Sequence, residues 1–148
     1  SDHVTDNSDY EFQQQEILRG YDKYEAYSEW SEQVKELIQD FGIQLLKLKK
    51  EGRSIMGFAA SAKGSTLLNC AGINTDLIDC IVDQTPEKIG KFTPGNGIPI
   101  VGIERIMKDN PDYIVILSWN FTEAIIDRVR KLGFKGKFIV PIPKFEVI

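Results

Sequence analysis

The stretch Gly57-Phe58-Ala59-Ala60-Ser61-Ala62-Lys63-Gly64-Ser65-Thr66-Leu67-Leu68-Asn69 (GFAASAKGSTLLN) decides the fold. An apolar run from Ser54 to Ala59 leads into it. A helical pattern from Ala62 to Ala71, closed by Gly72, leads out. A loop of this kind in this place is where a nucleotide-binding sheet carries its glycine-rich turn. The turn matches neither standard pattern. Of the dinucleotide fingerprint GxGxxG it keeps Gly57 alone, with Ala59 where the backbone must approach a pyrophosphate. Of the phosphate loop GxxxxGK[ST] it lacks the second glycine (Ala62) and the magnesium-holding hydroxyl (Gly64). NAD binding and ATP hydrolysis are therefore disfavoured.

Lys63 needs a reason. With Ser61 as N-cap it is the second residue of the helix, facing the positive end of the helix dipole at a cost of about 0.3–1 kcal/mol. A bound anion reverses that sign and is met by the free amides of Ala62, Lys63 and Gly64. The alternative is a solvated surface lysine.

Outward from this unit, strands and helices alternate. Leu77–Val82 and Tyr113–Leu117 (YIVIL) read as strands, the second apolar throughout, as for a strand covered on both faces. Ile98–Val101 is a short extended piece, Lys137–Val140 a further strand, and Val147–Ile148 a last edge strand. Ile103–Asp109 and Phe121–Leu132 read as helices. Upstream, Val34, Leu37, Ile38, Phe41, Leu45 and Leu48 recur at helical spacing, predicting a long helix from Ser28 to Lys50 with Ser28 as cap and Gly52 as stop. The whole predicts an α/β, three-layer, Rossmann-like domain with a mostly parallel sheet, preceded by a long N-terminal helix.

Other candidates fall on the same rim. Asp83 ends the second strand and suits a ribose hydroxyl or a turn. Lys88 and Lys91 follow in a glycine- and proline-rich loop that turns at Pro94-Gly95-Asn96-Gly97. Trp119 and Asn120 follow the YIVIL strand. They suit stacking on and hydrogen-bonding a ring, or Trp119 covers the sheet edge and Asn120 caps the next helix, with Glu123 completing a capping box.

The bulk properties narrow the class. The 148 residues predict one domain, and a net charge of −4 with no basic run speaks against a bulk nucleic-acid or membrane-surface binder. No apolar run is long enough for a membrane span. Cys70 and Cys80 lack metal or redox spacing and read as buried thiols, which predicts a cytoplasmic protein. The one histidine, His3, sits in a polar tail, so no histidine base serves the fold. The chain opens without methionine, which predicts a fragment or a processed product. Residues 1–26 read as a linker or arm from a missing upstream domain, and 27–148 as the folded unit.

Taken in order, GFAASAKGSTLLN, IVDQTPEKIGKFTPGNGIPIV, PDYIVILSWNFTEAI and GKFIVPIPKFEVI resemble the C-terminal domain of the S-adenosylmethionine-dependent sugar C-methyltransferases. The resemblance runs from about Tyr27 to Ile148. It implies a substrate-holding module for a nucleotide-linked keto sugar, often a thymidine diphosphate sugar. Methyl transfer would occur in a central domain absent from this chain, so the chain is not expected to be catalytic on its own. S-adenosylmethionine and zinc are then expected in the upstream domains, not here. The family motif falls also on Gly90, and the resemblance implies substrate contacts at Ser61, Lys63, Gly64 and Asn69; at Asp83, Lys88, Pro94 and Gly95; and at Trp119, Asn120 and Glu123. Its usual Gly-Tyr-Gly-Ala opening is Gly57-Phe58-Ala59-Ala60 here. The alternatives are an NAD(P)-type dinucleotide-binding domain and a docking domain that binds no small molecule.

Overall fold

The structure, a computed structural model, describes residues 31–148. The expected arm and the Ser28 cap lie outside the described residues. The first helix among the described residues, α1, spans Glu32–Lys50, and its cap is Ser31, whose hydroxyl accepts from Val34 N. It buries Val34, Ile38, Phe41 and Leu45 along one stripe, while Leu37 and Leu48 are half-buried. Lys47, Lys49 and Lys50 complement the dipole at its C-terminal end. Gly52, with φ of 84°, turns the chain out of the helix, as glycine does without steric cost.

The alternating units follow in order: β1 Ile55–Phe58, α2 Ala62–Cys70, β2 Ile81–Val82, β3 Ile100–Val101, α3 Glu104–Asp109, β4 Tyr113–Ile116, a 3-10 turn Trp119–Phe121, α4 Thr122–Lys131, β5 Lys137–Val140 and β6 Glu146–Val147. The sheet order is β3-β2-β1-β4-β5-β6. All pairs are parallel except β5–β6. This is the doubly wound order, in which the sequence of strands reverses beside β1.

Alternating side chains divide the interior in two. Ile55, Ile81, Val115, Leu117 and Ile139 face α1 and α2. Met56, Phe58, Ile114, Ile116, Phe138 and Val140 face α3 and α4. The three layers expected from the pattern are therefore present. The short connection from Lys50 to Ile55 returns α1 antiparallel to β1, and Phe41 meets Phe145 beyond the end of β5, with ring centroids 6.4 Å apart. Ser31 therefore lies toward the carboxyl edge of the sheet.

Some boundaries differ from expectation. Only Ile81–Val82 form β2; Leu77 sits in a turn, and ahead of the strand Asp79 N already donates to Ile55 O and Cys80 O accepts from Gly57 N of β1. Asn120 does not cap α4: it lies within the 3-10 turn, and the cap residue is Phe121, with no side-chain bond. Cys80 is buried and Cys70 half-buried. Burial pushes the Cys80 thiol up to about 11, so it stays protonated and inert. Among the described residues, no helix is long and apolar enough to cross a membrane.

Ala59 stands at φ of 82° while its amide donates to Val82 O at 2.7 Å. The position needs the left-handed region, which costs a non-glycine residue about 1–2 kcal/mol. Part of that is offset because alanine restricts the unfolded chain more than glycine does. Ala59→Gly is expected to raise stability by about 0.5–1 kcal/mol, read from urea unfolding at constant m-value.

Candidate ligand-binding crevice

The reversal of strand order opens a crevice at the carboxyl ends of β1 and β4. Ser61 builds its floor. The Ser61 hydroxyl accepts from Gly64 N at 3.1 Å, capping α2, and donates to Leu117 O at 2.9 Å, tying the helix start to the end of β4. Gly64 completes the contact. A Cβ built there would lie 2.7 Å from Leu117 Cβ and 3.1 Å from Leu117 O. The missing side chain thus gives room to Leu117, not to a ligand. With Gly64 N held by Ser61, the first-turn amide of Ala62 is left without an acceptor within the helix.

The loop from β1 is clamped from the side of β2. Asp83 is buried, and its Oδ2 accepts from Ala60 N at 2.7 Å while Oδ1 accepts from Thr85 N at 2.8 Å. Burial alone pushes this carboxyl up. The hydrogen bonds from Ala60 and Thr85, with Lys88 nearby, outweigh it and hold the group below its ordinary value of 3.8. Lys88 Nζ donates to Ala60 O at 2.9 Å, so the Ala60 residue is gripped at both its N–H and its C=O.

The loop between β2 and β3 folds back as a flap along β3. Gly90 N donates to Ile100 O, Ile100 N to Lys91 O, and Thr93 N to Ile98 O, each at 2.8–2.9 Å. The Pro94–Gly97 segment turns as expected. Thr93 is buried, with its hydroxyl bonded to Asn96 and accepting from Ile98 N. Asn69 Nδ2 donates to Ser65 O and to Pro94 O, each at 3.0 Å. A Cβ at Gly95, whose φ is 86°, would lie 2.6 Å from Asn69 Oδ1. Asn69, Pro94 and Gly95 thus form one tie holding the flap to α2.

Between the flap and the start of α2 lies a cavity of about 430 Å³. Ser61, Ala62, Ser65, Glu87, Lys88, Lys91, Phe92 and Pro94 are among the residues that line it. Of the candidates read from the sequence, Ser61, Lys88 and Pro94 line the cavity, as does Lys91. Asp83, Gly64, Asn69 and Gly95 support its walls from behind. Phe92 was not singled out in the sequence. It is 65% exposed beside Lys91, and its only local signal is an aromatic residue in a polar loop.

Lys63 and Trp119 form a second group. The Lys63 ammonium sits 5.3 Å from the Trp119 ring centroid, joining the start of α2 to the loop after β4. Trp119 is half-buried against both interior clusters, so it covers the sheet edge. Asn120 and Glu123 are exposed and do not line the cavity.

Strand order, crevice and clamped loops together define a doubly wound, Rossmann-like domain whose concave surface lies at the switch point. The chain belongs to the family described as the C-methyltransferase C-terminal domain, whose profile matches residues 2–143. It is similar to the C-methyltransferase NovU of Streptomyces niveus, with 40% identity over 99 residues. That alignment covers 66% of this chain and 24% of the relative, so the match spans about a quarter of the relative's length. Membership in this family implies an upstream domain.

Proposed function

We propose that this domain holds a nucleotide-linked keto sugar at the carboxyl edge of its sheet. An upstream domain of the same polypeptide, in the cytoplasm, transfers the methyl group of S-adenosylmethionine to a carbon of that sugar. Zinc belongs to the upstream portion. The observation that carries this reading is the cavity of about 430 Å³ between the α2 start and the flap, within the usual size range for small-molecule sites.

Its chemistry suits a nucleoside diphosphate. The amide of Ala62 and the positive end of α2 favour an anion. Lys88 and Lys91 add two ammonium groups at the wall. Phe92 offers an exposed ring face for a base or sugar to stack on. Glu87, the acid in the lining, suits a hydroxyl donor. Asp83 keeps a second lone pair on each oxygen and suits a ribose hydroxyl. Lys63 and Trp119 border the same edge where the sugar would extend toward the upstream domain.

A thermal-shift titration of the chain with thymidine diphosphate and its keto sugars tests the proposal. Saturable stabilisation is expected. Lys91→Ala should weaken binding about tenfold by removing one charged hydrogen bond to phosphate. Its unliganded melting temperature should stay unchanged, because Lys91 Nζ has no ion-pair partner among the described residues. Stabilisation by NAD and by no nucleotide sugar would overturn the proposal.

A further inference from the structure

The opposite edge of the sheet carries a second concave surface. A recess of about 350 Å³ opens where β4 and β5 begin, lined by Arg53, Asn110, Asp112, Tyr113, Lys135 and Lys137 among others. The four residues of β4 put about 13 Å of strand between this edge and the crevice. The two sites are therefore separate.

The charge of the recess is unbalanced. The ion pairs among the described residues join Lys35 to Glu32, Lys49 to Asp79, Arg105 to Asp109 and Lys131 to Asp127. Arg53, Lys135 and Lys137 take part in none of them. Their side chains have no hydrogen-bond partner among the described residues either. The acid in the lining, Asp112, is committed elsewhere: its Oδ2 accepts from Ser54 N at 2.9 Å and from Ser54 Oγ at 3.3 Å. In return, Asp112 N donates to Ser54 Oγ at 2.9 Å. Three cations thus face one hollow with a single carboxylate, Asp112, beside them, and that carboxylate is already oriented by Ser54, so the recess keeps an excess of positive charge.

We propose that this recess binds a small polyanion of the inorganic di- or triphosphate type. A guanidinium offers a planar fork to phosphate oxygens, and the two ammonium groups add point charges that follow a flexible ligand. The Asn110 side chain adds a neutral donor at the rim. The hollow has room for two or three phosphoryl groups and not for a folded partner.

The test is a titration of the isotope-labelled full chain with inorganic triphosphate at about 0.15 M salt, where non-specific surface attraction is screened. Saturable amide shifts are expected at Arg53, Asn110, Lys135 and Lys137. The double variant Lys135→Gln/Lys137→Gln should weaken them at least about tenfold, and Lys91→Ala should leave them unchanged. Shifts that never saturate, shifts confined to the Ser61–Lys91 rim, or an equal response to an oligoglutamate peptide would overturn the proposal. Because the crevice is probed with a different ligand and variant, failure at one edge is distinguishable from failure at the other.

Discussion

Gly64→Val is expected to destabilise the domain by about 3 kcal/mol, lowering the melting temperature by roughly 10 °C. The effect follows from the contact between α2 and β4. The first atom of any side chain at Gly64 meets Leu117 Cβ at 2.7 Å, with the Ser61 hydroxyl at 3.0 Å and the Leu117 carbonyl at 3.1 Å. None of these is the far end of a flexible chain. The helix must therefore move off the strand, which also breaks the Ser61–Leu117 hydrogen bond. Gly64→Ala should cost less, since it adds one carbon and gains about 1 kcal/mol of helix propensity. Urea unfolding of the two variants beside the parent chain measures the difference. Equal stability of all three would show that α2 does not rest on Leu117.

Asp83→Ala should cost about 2–4 kcal/mol, because it removes a carboxylate that accepts from two backbone amides and leaves Ala60 N without its partner. The pH dependence gives a sharper signature. The folded-state pKa of Asp83 lies below its ordinary value, so the unfolded chain binds the proton more readily. Its contribution is complete above about pH 4 and is lost as pH falls through the folded value. The Asp83→Asn variant should therefore be less stable than the parent at neutral pH, and the gap should narrow below about pH 4. A constant gap from neutral to strongly acid pH would sink the assignment. Binding of thymidine diphosphate should weaken in the same variant, because the β1–α2 loop loses its grip on Ala60.

The element order was legible because each unit carries its own period. YIVIL and the 34–48 stripe each announce their type without reference to the rest of the chain. Ser61 was legible as a cap because a serine before a helical run has few other roles there. What failed were choices between equivalent local signals. Ser28 lies outside the described residues, and Ser31, three positions later before the same apolar stripe, offers the same hydroxyl and is the cap seen. Asn120 has good cap chemistry, but the chain tightens into a 3-10 turn from Trp119 and moves the start of α4 beyond it.

The site was legible as a rim and not as contacts. Lys88 reaches Ala60 across 28 positions of sequence, and Asn69 reaches Pro94 across 25. No local pattern encodes such ties. Gly64 suggests a contact with a bound anion from its local setting alone, because the neighbour that demands a glycine, Leu117, lies 53 residues away in sequence. Ala59 marked itself only as a departure from glycine, and the reason emerged with its positive φ.

The flap along β3 has a wider consequence. An outermost strand normally offers unpaired peptide groups to any passing chain. Here Gly90 and Lys91 already occupy the outer side of Ile100, so peeling the flap away to admit a ligand would strip that margin bare. The candidate hollow is consequently preformed rather than gated, and the proposed ligand should enter it with little rearrangement of the backbone.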